Sequence, residues 1–135
     1  MHELAQRNAQ RFLVVADRLF GERLVGFYVV GSAAFGGFLP ERSDLDFVAV
    51  IDQPRASDCR RARLAQIVSG ARTGVPTFLR GRTAGPGSCN GVYIARGELH
   101  RPVTQITPIG SHHGISFATA TGSRAQRPRS TAARP

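Results

Sequence analysis

Apolar residues return at three- and four-residue spacing at Leu4, Ala9, Phe12, Leu13, Ala16, Leu19 and Phe20, with Arg7, Arg11 and Arg18 between them. This pattern predicts an amphipathic helix over 3–20, which Gly21 ends. The run Leu24-Val25-Gly26-Phe27-Tyr28-Val29-Val30 is almost continuously apolar and rich in β-branched and aromatic residues, and predicts a strand covered on both faces. Ala33-Ala34-Phe35 has room for one or two helical turns before Gly36-Gly37, and Leu45–Ile51 is a second strand closed by Pro54. Ser57 or Asp58 caps a helix over 58–71, with Ala62, Leu64, Ala65, Ile67 and Val68 as its buried stripe. Val75–Leu79 reads as a short strand or edge segment, and Gly91–Ile94 as a further strand. After Arg101 the pattern weakens.

The order helix, strand, short helix, strand, helix, strand predicts an α/β (α+β) domain, a small mixed sheet flanked by helices. Three strands and two longer helices make a thin, incomplete domain. Residues 1–119 form it, and 120–135 are a disordered tail of Arg, Ser, Ala and Pro with no apolar anchor. A length of 135 residues allows one domain with a modest core. No apolar run approaches the roughly 20 residues of a membrane span. Met1-His2-Glu3-Leu4 lacks the apolar stretch of a secretory signal, so a soluble, cytoplasmic protein is expected, with no membrane partner.

The net charge of +9 comes from Arg alone, which mutational bias in a GC-rich genome also produces. Residues 1–98 hold 13 Arg and all 9 acids, whereas residues 99–135 hold 5 Arg and no acid. The excess is concentrated in the tail, where it suits non-specific contact with polyanions. Cys59 and Cys89 are too few for a disulfide framework or a zinc site and are read as reduced thiols. His112 and His113 are read as surface histidines, since neighbours on an extended chain diverge.

The chemistry lies elsewhere. Asp is disfavoured in strands, yet Asp44 and Asp46 open an otherwise apolar one. Residues at i and i+2 share a face, so both carboxylates project together while Leu45 and Phe47 pack behind. Like charges that close repel unless a cation sits between them, and Mg²⁺ is the usual resident. Gly31-Ser32 stands where a strand meets a helix N-terminus, which favours an anion. Together they suit attack of a hydroxyl on the α-phosphate of a nucleotide, with two ions about 3.5–4 Å apart.

Val30-Gly31-Ser32-Ala33-Ala34-Phe35-Gly36-Gly37, followed by Arg42-Ser43-Asp44-Leu45-Asp46-Phe47, resembles the G-S…S-D-x-D motif of polymerase-β-like nucleotidyltransferases. It is particularly similar to aminoglycoside adenylyltransferase-like domains, over about residues 24–99. The resemblance implies that Gly31 and Ser32, with Ser43 beside them, bind the nucleotide. It implies that Asp44 and Asp46 hold Mg²⁺ and that a third carboxylate sits on a later strand. There the sequence departs from the pattern: Cys89-Asn90-Gly91-Val92-Tyr93-Ile94 aligns with the family's Asp-Gly-Val-Tyr segment, and the residue is Asn90. Asn90 is neutral and cannot take a proton. Glu98, eight residues along, is a poor substitute and reads as a surface residue.

The expected function is transfer of a nucleoside monophosphate from Mg-NTP, with ATP the expected donor, to a hydroxyl acceptor of unknown identity. The alternative is an impaired or truncated domain that binds nucleotide or a helical partner protein without turnover. A weaker third reading is an Arg-driven nucleic-acid-binding module. The aminoglycoside-modifying relatives carry a helical domain that has no counterpart in these residues, which is why truncation belongs to the alternative reading. A +9 chain is also an unpromising host for a polycationic drug.

Overall fold

Helix α1 (Glu3–Phe20) forms where the three- and four-residue spacing placed it. His2 Nδ1 accepts from the Leu4 N–H at 3.1 Å, and Gly21 turns the chain away at φ 59°. A computed structural model describes residues 1–72, 89–113 and 116–119 of the chain. The expected strand at Val75–Leu79 and the expected tail at 120–135 lie outside the described residues.

Strands β1 (Leu24–Val30) and β2 (Leu45–Ile51) are antiparallel. Helix α2 (Asp58–Arg72) lies on the crossover from β2 to the parallel strand β3 (Cys89–Ala95). Two strands then extend the sheet antiparallel, β4 (Gly110–His113) and β5 (Ser116–Thr119). The result is an α+β arrangement with a five-stranded mixed sheet in the order β1-β2-β3-β4-β5. The β4–β5 hairpin is absent from the sequence reading. Its strands have four residues each and mostly small or polar side chains, so they carry almost no periodic signal.

Both helices cover one face of the sheet. Phe12, Ala16 and Phe20 of α1 and Ala62 and Ala65 of α2 join Phe47, Ala49, Ile51 and Tyr93 in a single buried cluster. The stripe expected on α2 is partly wrong, because Leu64 and Ile67 point outward at 45% and 44% exposure. Gln66 and Ser69 are buried instead. Apolar identity misled where small residues set how closely the helix approaches the sheet.

The opposite face carries Tyr28, Val30, Asp46, Val48, Asn90 and Val92 in register. Tyr28, Val30 and Val92 are 56%, 36% and 37% exposed. The expectation that β1 is covered on both faces therefore fails among the described residues: β1 is an edge strand with one bare face. At the other end of the same face Val50 and Ile94 are buried, so the opening lies toward the N-terminal ends of β2 and β3. No described helix is long and apolar enough to cross a membrane.

Candidate functional site

Strand alternation builds the site. Leu45 and Phe47 are each 1% exposed on the helical face, which turns Asp46 to the open one. In the ladder Asp46 sits between Val30 of β1 and Asn90 of β3. Asp44 immediately precedes β2 and is half-buried, as is Asp46. The Asn90 amide nitrogen donates to Asp46 Oδ1 at 3.0 Å and reaches Asp44 Oδ2 at 3.4 Å. The two carboxylates therefore converge on one point, and the side chain at that point is Asn90. The parallel pairing of β2 with β3 brings Asn90 to two carboxylates 44 and 46 positions earlier in the chain.

Gly31 follows β1 directly, at φ +67°, and a Cβ there would lie 2.6 Å from Asp46 Oδ2. Only glycine accepts both the left-handed backbone and this approach. The helix N-terminus expected at Gly31-Ser32 is a three-residue 3₁₀ turn, Gly31–Ala33. It is too short for aligned peptide dipoles to sum appreciably. The Gly31 carbonyl accepts from Ala34 and Phe35 N–H, and the Ser32 carbonyl from Gly37 N–H, so the turn folds on itself beside Asp46. Ser43 Oγ accepts from Leu39 N–H at 2.9 Å while its own N–H donates to the Leu39 carbonyl at 2.7 Å. The hydroxyl proton remains for a ligand, but the first job of Ser43 is closing the loop that delivers Asp44.

Glu98 does not join the group. Asn90 lies at the start of β3 and Glu98 beyond its end. At about 3.3 Å per residue the five steps from Asn90 to Ala95 alone span roughly 16 Å. Glu98 pairs with Arg101 at 3.6 Å. Arg42 is exposed on the loop. Among the described residues no group of three or more His, Cys, Asp or Glu side chains is placed to hold a metal ion. The oxygen donors of Asp44 and Asp46 nevertheless suit Mg²⁺, which takes one or two carboxylates and completes its coordination with water and phosphate at 2.0–2.1 Å. Carboxylates already converging on a single nitrogen at 3.0 and 3.4 Å need only a small inward movement to meet such an ion there.

The surroundings of the site were partly hidden in the sequence. Cys89 and Cys59 are free thiols. Burial first, and the negative charges of Asp44 and Asp46 second, push the Cys89 thiol up to about 12, so it stays protonated and is no nucleophile. His112 is not a surface residue, as the sequence had suggested, but 4% exposed and stacked on Phe12. Its Nδ1–H donates to the Cys89 carbonyl at 2.9 Å, fastening β4 to the start of β3. His113 points the other way and is exposed, the divergence expected of neighbours on a strand. Beside Asp46 and Asn90 a groove of about 400 Å³ runs across the open face, over Val48 and Val92 to Ser111, Ser116 and Ala118. Half of its wall comes from the hairpin that the sequence did not reveal.

No protein-family model and no curated protein matches this chain.

Proposed function

We propose that the chain is a nucleotidyltransferase domain, using Mg-NTP to place a nucleoside monophosphate on a hydroxyl acceptor: the acceptor oxygen bonds to the α-phosphorus, the bond to the β-phosphate breaks with release of pyrophosphate, and the hydroxyl proton passes to solvent. The observation that carries this reading is the convergence of the Asp44 and Asp46 carboxylates on one point, beside a glycine that leaves space against Asp46. It agrees with the likeness of the Gly31-Ser32 and Ser43-Asp44-Leu45-Asp46 segments to polymerase-β-like nucleotidyltransferases, and a mixed sheet with helices on one face is compatible with it. ATP is the proposed donor.

In this mechanism Asp44 and Asp46 hold the ion. When bound, Mg²⁺ supplies charge neutralisation for phosphate oxygens and a template for in-line attack. Gly31 lets the Asp46 carboxylate lie against the backbone at the ion site, and the Ser32 hydroxyl donates to a phosphate oxygen of the nucleotide. Ser43 fixes the loop that carries Asp44. The acceptor lies along the open sheet face, with its hydroxyl directed toward Asp46. Asn90 stands at the position of the third carboxylate but takes no proton from the attacking hydroxyl, which forgoes a contribution of roughly 10²–10⁴ in rate. Transfer by this domain is accordingly slow.

Labelled ATP, Mg²⁺ and a panel of hydroxyl-bearing acceptors test the reading. Incorporation that disappears in Asp44→Ala/Asp46→Ala is expected, and equal incorporation by the two proteins removes the assignment. Asn90 specifically favours a second reading, a domain that binds nucleotide or a helical partner without turnover. Mg-dependent ATP binding with no transfer of label distinguishes it.

A further inference from the structure

The like charges of Asp44 and Asp46 should repel, yet their oxygens approach the same nitrogen. The amide nitrogen of Asn90 faces both and offsets part of that repulsion. Its two N–H groups carry partial positive charge, and one nitrogen within 3.0 Å of Asp46 Oδ1 and 3.4 Å of Asp44 Oδ2 screens each carboxylate from the other. The orientation is dictated by chemistry, since the amide oxygen turned the same way would add a third negative dipole to the pair.

We infer that Asn90 is a built-in stand-in for a cation: its amide holds the Asp44–Asp46 pair together without metal, and a divalent ion enters only by displacing it. This rests on the reading of the pair as the ion-holding site. A carboxylate at position 90 leaves a repelling cluster that a cation relieves, so assembly of the site depends on metal. With Asn90 assembly is independent of metal, and metal affinity is lowered by the hydrogen bonds that must be given up. Asn90 is thus a positioning residue that sets a threshold for divalent ions, rather than a ligand that recruits them. The register of β2 with β3, Asp46 opposite Asn90, fixes the amide in place, and Gly91 next to it is held between Phe47 and His112.

The test uses the full chain with Mg²⁺ or Mn²⁺ alone, without nucleotide, comparing wild type, Asn90→Ala and Asn90→Asp by calorimetric titration and metal-free thermal unfolding. Both variants should melt at a lower temperature than wild type without metal, and both should bind Mg²⁺ more tightly. Asn90→Asp should gain roughly 10–100-fold, the span usually seen when groups around a metal site are changed. Tighter binding by Asn90→Ala is the decisive result, because a purely structural role does not move metal affinity upward. Weaker binding by Asn90→Ala, with an unchanged metal-free melting temperature, would instead make the amide oxygen a ligand and overturn the inference. Should Asn90→Ala fail to fold, Asn90→Ser keeps one donor and should fall between wild type and Asn90→Asp in both measurements. The opposite ranking sinks the idea. Metal binding in the expected order without any nucleotide transfer removes the proposed function and leaves this inference standing. Transfer that depends on Asp44 and Asp46 without that order does the reverse.

Discussion

Among the described residues the fold treats one acid, Asp58, and one acid pair, Asp44 with Asp46, in opposite ways. Asp58, the first residue of α2, is fully buried and surrounded by cationic and hydrogen-bonding partners. Arg23 grips it with two hydrogen bonds of 2.7 Å, the Arg55 N–H adds a third at 2.7 Å, and Arg61 approaches to 3.3 Å. Burial alone would raise the Asp58 carboxyl, but the hydrogen bonds from Arg23 and Arg55 and the charges of Arg23 and Arg61 outweigh it and hold it below its usual value. Asp44 and Asp46 are half-buried beside each other, and the group between them is a neutral amide. Asp58 is neutralised inside the fold by arginine, whereas the side chain that faces both Asp44 and Asp46 from the neighbouring strand is the amide of Asn90.

The sharpest way to test the contrast is at Asp58. Asp58→Ala leaves the Arg23 guanidinium, whose side chain is only 14% exposed, without its partner, and frees the N-terminus of α2. Breaking a buried pair on one side costs about 3–5 kcal/mol, a large part of the stability of a domain this size. Denaturant unfolding should record the whole loss. A cost below about 1 kcal/mol, as for a surface pair, would erase the distinction between the clusters. The sign with pH follows from the lowered value. The contribution of Asp58 is present above the unfolded carboxyl value of 3.8 and disappears as the pH falls through the lower folded one.

A second effect of similar but smaller size separates His112 from both clusters. Burial pushes its imidazole down from 6.5 to about 4, against the opposing hydrogen bond to the Cys89 carbonyl. Above pH 6.5 both folded and unfolded chains carry it neutral, and the stability is complete. Below 6.5 only the unfolded chain gains the proton, so stability falls until about pH 4, by about 3 kcal/mol in total. His112→Asn keeps a donor for the Cys89 carbonyl and removes the titration. Its unfolding free energy should be lower overall but nearly flat between pH 6.5 and 4. An acid limb that persists in the variant assigns the effect to other groups.

These two predictions also mark where the sequence was legible. Helix α1, strands β1 and β2, and helix α2 begin and end close to where periodicity and punctuation placed them, because each has at least two turns or seven residues of consistent pattern. The candidate site was read from other signals: Asp44 and Asp46 open an otherwise apolar strand, whereas Gly31 gained its weight from the G-S…S-D-x-D resemblance and Asn90 was singled out by the resemblance alone. What escaped depends on partners distant in the chain. The Arg23–Asp58 pair spans 35 positions, and each residue alone looks like a solvated charge or a cap. His112 reads as polar until a four-residue strand buries it against Phe12 and Phe47. Among the described residues one face of β1 is bare because both helices pack on the other, and no strand declares its neighbours in its own sequence.

The smallest expected effect on stability belongs to the pair proposed for function, and that is what makes it a useful control. Asp44→Asn/Asp46→Asn preserves side-chain shape while removing both charges. The Asn90 amide keeps oxygen acceptors at both positions, so its hydrogen bonds are weakened rather than lost. The repulsion between the two carboxylates, which the amide offsets only in part, also disappears. These contributions oppose each other, and the net change should stay within about 0.5–1.5 kcal/mol, the range of a single ordinary hydrogen bond. Asp58→Asn, the same chemical change, abolishes a charge that donors from Arg23, Arg55 and Arg61 depend on and should cost several times more. The order reverses when ligand is added. If Mg-ATP binds the wild type, saturation at 100 times Kd raises its stability by about 2.7 kcal/mol. The double variant should show none of that rise, while Asp58→Asn should retain it in full on its lower baseline. Thermal unfolding of the three proteins with and without Mg-ATP measures both halves. A double variant that loses several kcal/mol without ligand would show that Asp44 and Asp46 support the fold. One that keeps the Mg-ATP response would move the ligand away from this end of the sheet.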